Sequence, residues 1–120
     1  MIKKYSYIKA SEEFCTLEKH IPAPYFRRNF VVSQEIKSAK LKITGLGFYE
    51  LHFNGVDITK GFLAPYRSNP EHIVYFDEYD VTDNIRVGNN VIAVLLGNGM
   101  QNALGAYIWY FDEAPWRSAP

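Results

Sequence analysis

A single cysteine, Cys15, rules out an internal disulfide, so the fold must stand on packing and hydrogen bonding and needs no oxidising compartment. As a nucleophile Cys15 would need a base. The nearest in sequence is His20, in a stretch with no catalytic signature, so a structural thiol is expected. A charge excess of either sign is missing too. Thirteen basic residues offset 13 acidic ones, which leaves no field to gather phosphate backbones or anionic lipid and argues against nucleic acid as a partner. Long apolar runs are also absent. The longest, Val91 to Leu96, falls far short of the ~20 residues that cross a bilayer. Met1 to Tyr7 lacks the apolar core of a signal peptide, so a cytoplasmic location with no membrane partner is expected. His20, His52 and His72 are scattered without zinc spacing, and Gly45-Leu46-Gly47 lacks the third glycine and the helix of a dinucleotide site.

What is present is apolar and aromatic. Hydrophobic residues make up 48% of the 120 positions, and nine Tyr and eight Phe favour strands and ligand-binding surfaces. That length fits one domain. Residues 1–24 read as an irregular lead-in, with a weak helical turn at Ser11 to Phe14 and a proline-bounded end at Ile21-Pro22-Ala23-Pro24. Residues 25–120 read as an all-β domain whose loop-like C-terminal end looks cut short.

Alternation locates the strands. Phe26, Phe30 and Val32 share a face with Arg28 between Tyr25 and Ser33, while Arg27 and Asn29 look outward. Ala39, Leu41 and Ile43 alternate with Lys40 and Lys42, and Tyr49, Leu51 and Phe53 with Phe48, Glu50 and His52. Asn54-Gly55 predicts a type I′ hairpin turn, returned by Val56 and Ile58. A long strand is expected from Ile73 to Val81, then a turn capped by short polar residues at Asp80 to Asp83, and another turn at Gly88-Asn89-Asn90. Val91 to Leu96, apolar on both faces, should be a central strand stopped by Gly97-Asn98-Gly99. Ala106 to Phe111 is the last candidate strand. Short strands at near-regular spacing, punctuated by Gly and Asn, indicate a jelly-roll-like β-sandwich.

Few residues invite chemistry. Glu78 and Asp80, two apart on one strand, could meet the ~6.5–9.5 Å carboxylate spacing of an inverting glycosidase. Acidic residues leading into a capped turn are nevertheless ordinary, so no catalytic residue is assigned. Aromatic and polar side chains gather at Tyr66, Arg67 and Asn69 and again at Asn98, Asn102, Trp109 and Trp116. That mixture suits sugars, because a ring packs on the C–H face of a pyranose while amide and guanidinium groups pair with its hydroxyls. Core or interdomain packing of Tyr66, Trp109 and Trp116 is the competing expectation. Calcium is the one cofactor considered; its oxygen ligands need no fixed motif, with Asn69 and Glu71 the candidates and Asn98 and Asn102 in reserve.

Ala23-Pro24-Tyr25-Phe26-Arg27-Arg28-Asn29-Phe30 resembles the opening strand of the N-terminal domain of bacterial α-L-rhamnosidases. Residues 38–51, Ser38-Ala39-Lys40-Leu41-Lys42-Ile43-Thr44-Gly45-Leu46-Gly47-Phe48-Tyr49-Glu50-Leu51, are similar to that family's signature strand pair, with Phe53-Asn54-Gly55 as its hairpin. Leu63-Ala64-Pro65, Tyr79-Asp80-Val81-Thr82 and the run from Asn90 to Gly99 follow in matching order. The resemblance implies a galactose-binding-domain-like sandwich accessory to a separate helical-barrel catalytic domain, in enzymes that hydrolyse terminal α-L-rhamnosides with inversion. It also implies further strands beyond Pro120. Two departures stand out. Tyr66-Arg67-Ser68-Asn69-Pro70-Glu71 replaces a Gly-Trp followed by a Thr-Asp-Tyr type run, and Met100 stands where an aromatic is common. The partners to expect are a rhamnoside, the parent enzyme's catalytic domain, and a second copy through an exposed sheet edge. A stand-alone carbohydrate-binding module and a purely architectural domain are the rival readings.

Overall fold

The computed structural model describes residues 6–69 and 72–102 of the chain. Six strands run β1 (Tyr25–Val32), β2 (Lys40–Ile43), β3 (Phe48–Phe53), β4 (Val56–Asp57), β5 (Asp77–Asp80) and β6 (Gly88–Gly97), followed by a 3-10 turn at Met100–Asn102. They form a four-stranded sheet in the order β1-β6-β3-β4 and a two-stranded sheet, β2-β5, with all pairs antiparallel. The chain is an all-β sandwich, as the strand spacing and glycine punctuation predict. No helix among the described residues is long and apolar enough to cross a membrane.

The alternation read from sequence sets the faces. Tyr49, Leu51 and Phe53 of β3 point inward with Ile92, Val94 and Leu96 of β6 and Phe30 of β1. Leu41, Ile43, Tyr79 and Val81 meet them from the second sheet. Phe30 and Phe53 pack edge to face, 6.0 Å between centroids. β6 is the central strand that its two-sided apolar run predicts, and it takes in Gly88 to Asn90, where the sequence suggested a turn. The reason is Asn90. Fully buried, it accepts from Arg86 N (3.0 Å) and Asn54 Nδ2 (2.8 Å) and donates to Arg86 O (2.7 Å) and Gly88 O (3.0 Å), so its amide satisfies the bend and frees the backbone to pair. Asn54 and Gly55 both take positive φ (50° and 86°), the geometry a two-residue type I′ turn requires.

The long strand expected from Ile73 is shorter in the structure. Only Asp77–Asp80 pairs, with β2, while Ile73, Val74, Tyr75 and Phe76 are exposed. Apolar alternation reports a surface that wants cover; it does not say that the cover lies within the same hundred residues. The expected strand at Ala106 to Phe111 lies outside the described residues. Residues 6–24 hold no strand or helix.

One device appears twice. Asp57 accepts from the hydroxyl and amide of Thr59 (2.6 and 2.9 Å), and Asp80 does the same for Thr82 (2.6 and 3.0 Å). Each threonine oxygen then accepts a backbone N–H from a neighbouring strand, Leu51 at 2.8 Å and Ala39 at 3.0 Å. An Asp two residues before a Thr thus stops a strand and ties the turn to the sheet.

Candidate functional site

Two of the predicted polar loops meet beside the start of β3. The Arg67 guanidinium lies over the Phe48 ring, 5.3 Å from its centroid, and its Nη1 is so near Gly99 that a side chain there would approach within 2.6 Å. Ser68 donates to Ile73 O, and Asn69 O accepts from His72 N and Ile73 N (3.0 and 2.9 Å), closing a tight loop. Tyr66 stands 85% exposed at its rim. The shallow hollow lined by Thr44, Gly45, Tyr66, Arg67, Ser68 and Tyr75 measures about 20 Å³, room for one water molecule, so a pyranose could rest only on its rim and not inside it.

Asn98 and Asn102 are committed elsewhere. Asn102 Oδ1 accepts from Cys15 N (2.7 Å) and its Nδ2 donates to Asn98 Oδ1 (2.6 Å), while Asn98 Nδ2 donates to Ile21 O (3.1 Å). These amides fasten residues 15–21 to the end of β6. Cys15 is completely buried there; its sulfur accepts from Ile21 N at 3.3 Å and sits 3.9 Å from His20 Nδ1. Trp109, Trp116 and Glu71, also singled out in the sequence, lie outside the described residues.

The larger concavity was not anticipated. A groove of about 340 Å³ opens on the outer side of the four-stranded sheet, walled by Phe48, Glu50, Asp57, Thr59, Phe62 and Leu63 and floored by Leu95. Phe62 is fully exposed and Leu63 largely so. The Thr59 hydroxyl, then its amide, hold the Asp57 carboxyl below its ordinary value, with a smaller contribution from nearby His52. His52 Nε2 is 4.0 Å from Glu50 Oε2. Alternation turns Phe48 and Glu50 away from the core, but Gly61-Phe62-Leu63, which supplies the groove's most exposed residues, lies in a segment with no strand period.

Residues 34–116 match the family model described as the alpha-L-rhamnosidase N-terminal domain. The chain belongs to this family. An α-L-rhamnosidase of Formosa agariphila is 32% identical over 98 residues, 82% of this chain but 9% of its own length. Among solved structures, the α-L-rhamnosidase of Dictyoglumus thermophilum is 36% identical with a TM-score of 0.68, over 79% of this chain and 12% of that one. The Streptomyces avermitilis α-L-rhamnosidase, solved complexed with L-rhamnose, is 32% identical with a TM-score of 0.63, over 66% and 8% respectively. This α-L-rhamnosidase N-terminal domain therefore spans about a tenth of the relatives it matches.

The carboxylates that could suggest hydrolysis have structural partners in this rhamnosidase domain. Glu78 bridges Lys40 and Lys42 at 2.7 and 3.2 Å; the Lys40 ammonium, then that of Lys42, keeps its carboxyl below the usual range. Asp80 is held low by the Thr82 hydroxyl and then by its amide. Asp77 accepts from Tyr49 Oη, which is 3.1 Å from Tyr79 Oη, and that oxygen accepts from Lys60 N at 3.0 Å. With the Tyr49 proton given to Asp77, Tyr79 must donate to Tyr49, so a directed chain runs from Lys60 to Asp77. Burial, then the bond to Asp77, pushes the Tyr49 phenol well above its ordinary value. Among the described residues no three His, Cys, Asp or Glu side chains gather as a metal set.

Proposed function

We propose that this chain is a non-catalytic accessory domain of an α-L-rhamnosidase, and that it supports the enzyme by packing against the rest of a longer chain. The exposed apolar surface carries the reading. Phe62 and Leu63 stand out beside the groove over Phe48 and Leu95, where burial of each would contribute ~1.5–3 kcal/mol. A soluble domain keeps such a patch for a partner. The relatives place nine-tenths of their length outside the matched region, so the remainder of the enzyme is the occupant we assign. The family resemblance makes a helical-barrel catalytic domain the natural neighbour.

A graft tests this. Residues 23–102 replace the matching segment of the Dictyoglumus thermophilum enzyme, and Phe62→Ser with Leu63→Ser is then introduced. The expected result is a graft that hydrolyses a rhamnoside and loses several degrees of melting temperature on the double substitution, while the same substitution leaves the isolated chain's melting temperature unchanged. A graft indifferent to the substitution sinks the reading.

Recognition of a rhamnose-containing glycoside is the second reading. Its support is the Tyr66 ring, 85% exposed at the hollow it shares with Arg67 and Ser68, as a stacking platform. A calcium ion held through oxygen ligands such as Asn69 belongs to that reading.

A further inference from the structure

β1 ends the four-stranded sheet, and its pairing with β6 determines which backbone groups face outward. Leu96 N donates to Pro24 O at 3.0 Å, which makes Pro24 and Leu96 a bonded pair. Alternation along an antiparallel ladder then turns Phe26, Arg28, Phe30 and Val32 toward β6. The N–H and C=O groups of Tyr25, Arg27, Asn29 and Val31 face the open side, and among the described residues nothing pairs with them.

The other edges are blunted in recognisable ways. β4 has two residues, β2 carries Lys40 and Lys42, and Lys60 reaches across β5 to Glu78 O. β1 is eight residues long with no internal proline, and its only charged side chains, Arg27 and Arg28, are both positive. On its outer face Tyr25 (59% exposed) and Val31 (71% exposed) flank Arg27 and Asn29. A two-fold pairing with a second copy would set these arginines directly or diagonally against their own counterparts, which opposes self-association.

We propose that the β1 edge is a strand-addition site for an extended peptide bearing carboxylates. The peptide sets apolar side chains opposite Tyr25 and Val31, one carboxylate opposite Arg27 on the outer face and a second opposite Arg28 at the inner rim. The backbone supplies the affinity and the arginines select the charge. The edge from Tyr25 to Val31 is ~20 Å long, so about seven residues of partner fill it.

The test is amide hydrogen exchange on the 120-residue chain, titrated with the heptapeptide Val-Ser-Thr-Glu-Glu-Ser-Val, which in antiparallel pairing sets its valines opposite Val31 and Tyr25 and its two glutamates opposite Arg28 and Arg27. The expected result is saturable protection confined to the amides of Tyr25, Arg27, Asn29 and Val31. Asn29→Pro removes an outward N–H without touching the β6 ladder and should abolish that protection. Arg27→Glu keeps the backbone intact in case the proline variant does not fold. It should weaken the peptide at least tenfold and shift preference to the dilysine analogue Val-Ser-Thr-Lys-Lys-Ser-Val. Three outcomes overturn the proposal: no protection at these amides, equal binding of the dilysine analogue by the unmodified chain, or protection that grows with protein concentration in the absence of peptide, which would assign the edge to a second copy.

Discussion

Replacing Asn102 by alanine should convert Cys15 from a sheltered thiol into a reactive one. Asn102 is 4% exposed, and its amide joins Cys15 N to Asn98 Oδ1 at 2.7 and 2.6 Å. Alanine removes both bonds. Asn98 is half-buried and its oxygen can turn to water, whereas the Cys15 N–H sits in a residue with no exposed surface, so most of the cost falls there. A buried donor left without its acceptor costs ~1–3 kcal/mol, and ~2 kcal/mol fits one such group. If that strain is relieved by local detachment of residues 15–21, the open population rises about thirtyfold, at ~1.4 kcal/mol per tenfold. The assay is the rate at which an aromatic disulfide reagent labels Cys15 under native conditions, alongside a urea unfolding curve. Labelling about thirtyfold faster than in the parent chain is expected, with Tyr66→Ala as an unaffected control. A variant that labels at the parent rate would refute the assignment of these amides to holding the lead-in.

Gly47→Ala should destabilise the chain by ~3 kcal/mol or prevent folding, because the added methyl would sit 2.0 Å from Gly97 O, a backbone atom that cannot step aside; the urea midpoint reports it. Asn90→Ala strips four hydrogen bonds from a fully buried site and should cost ~3–5 kcal/mol by the same assay. Stability should fall at both ends of the pH range. Asp57, Glu78 and Asp80 have lowered folded pKa values, so their contribution is complete above the ordinary carboxylate value of about 4 and is lost as pH drops through the lowered ones. The raised Tyr49 phenol acts in the opposite sense: above about pH 10 the unfolded chain ionises and the folded one does not, so stability declines. Thermal melts across pH check both limbs, and a melting temperature unchanged from pH 3 to pH 6 contradicts the first.

Strands whose cover lies within the chain were legible in the sequence. Tyr25 to Ser33, Leu41 with Ile43, and Tyr49 to Phe53 alternate cleanly because their partners are here, and Asn54-Gly55 sets the hairpin because only such residues take positive φ twice in succession. Ile73 to Phe76 carries the same apolar signal without a paired strand among the described residues, and period alone cannot make that distinction. Asparagines were the other blind spot. Asn90, Asn98 and Asn102 look alike in sequence, yet what each amide bonds depends on residues up to 87 positions away. The Phe62 groove was illegible for a related reason, since it is built from four separate segments with no shared spacing.

Calorimetric titration of the folded chain with L-rhamnose, first with calcium and then with chelator, tests the central claim most directly. An accessory domain that works by packing against the rest of its enzyme gives a flat trace in both conditions. Saturable heat, above all heat that disappears with chelator, would contradict the account and make the chain a rhamnose-binding module in its own right.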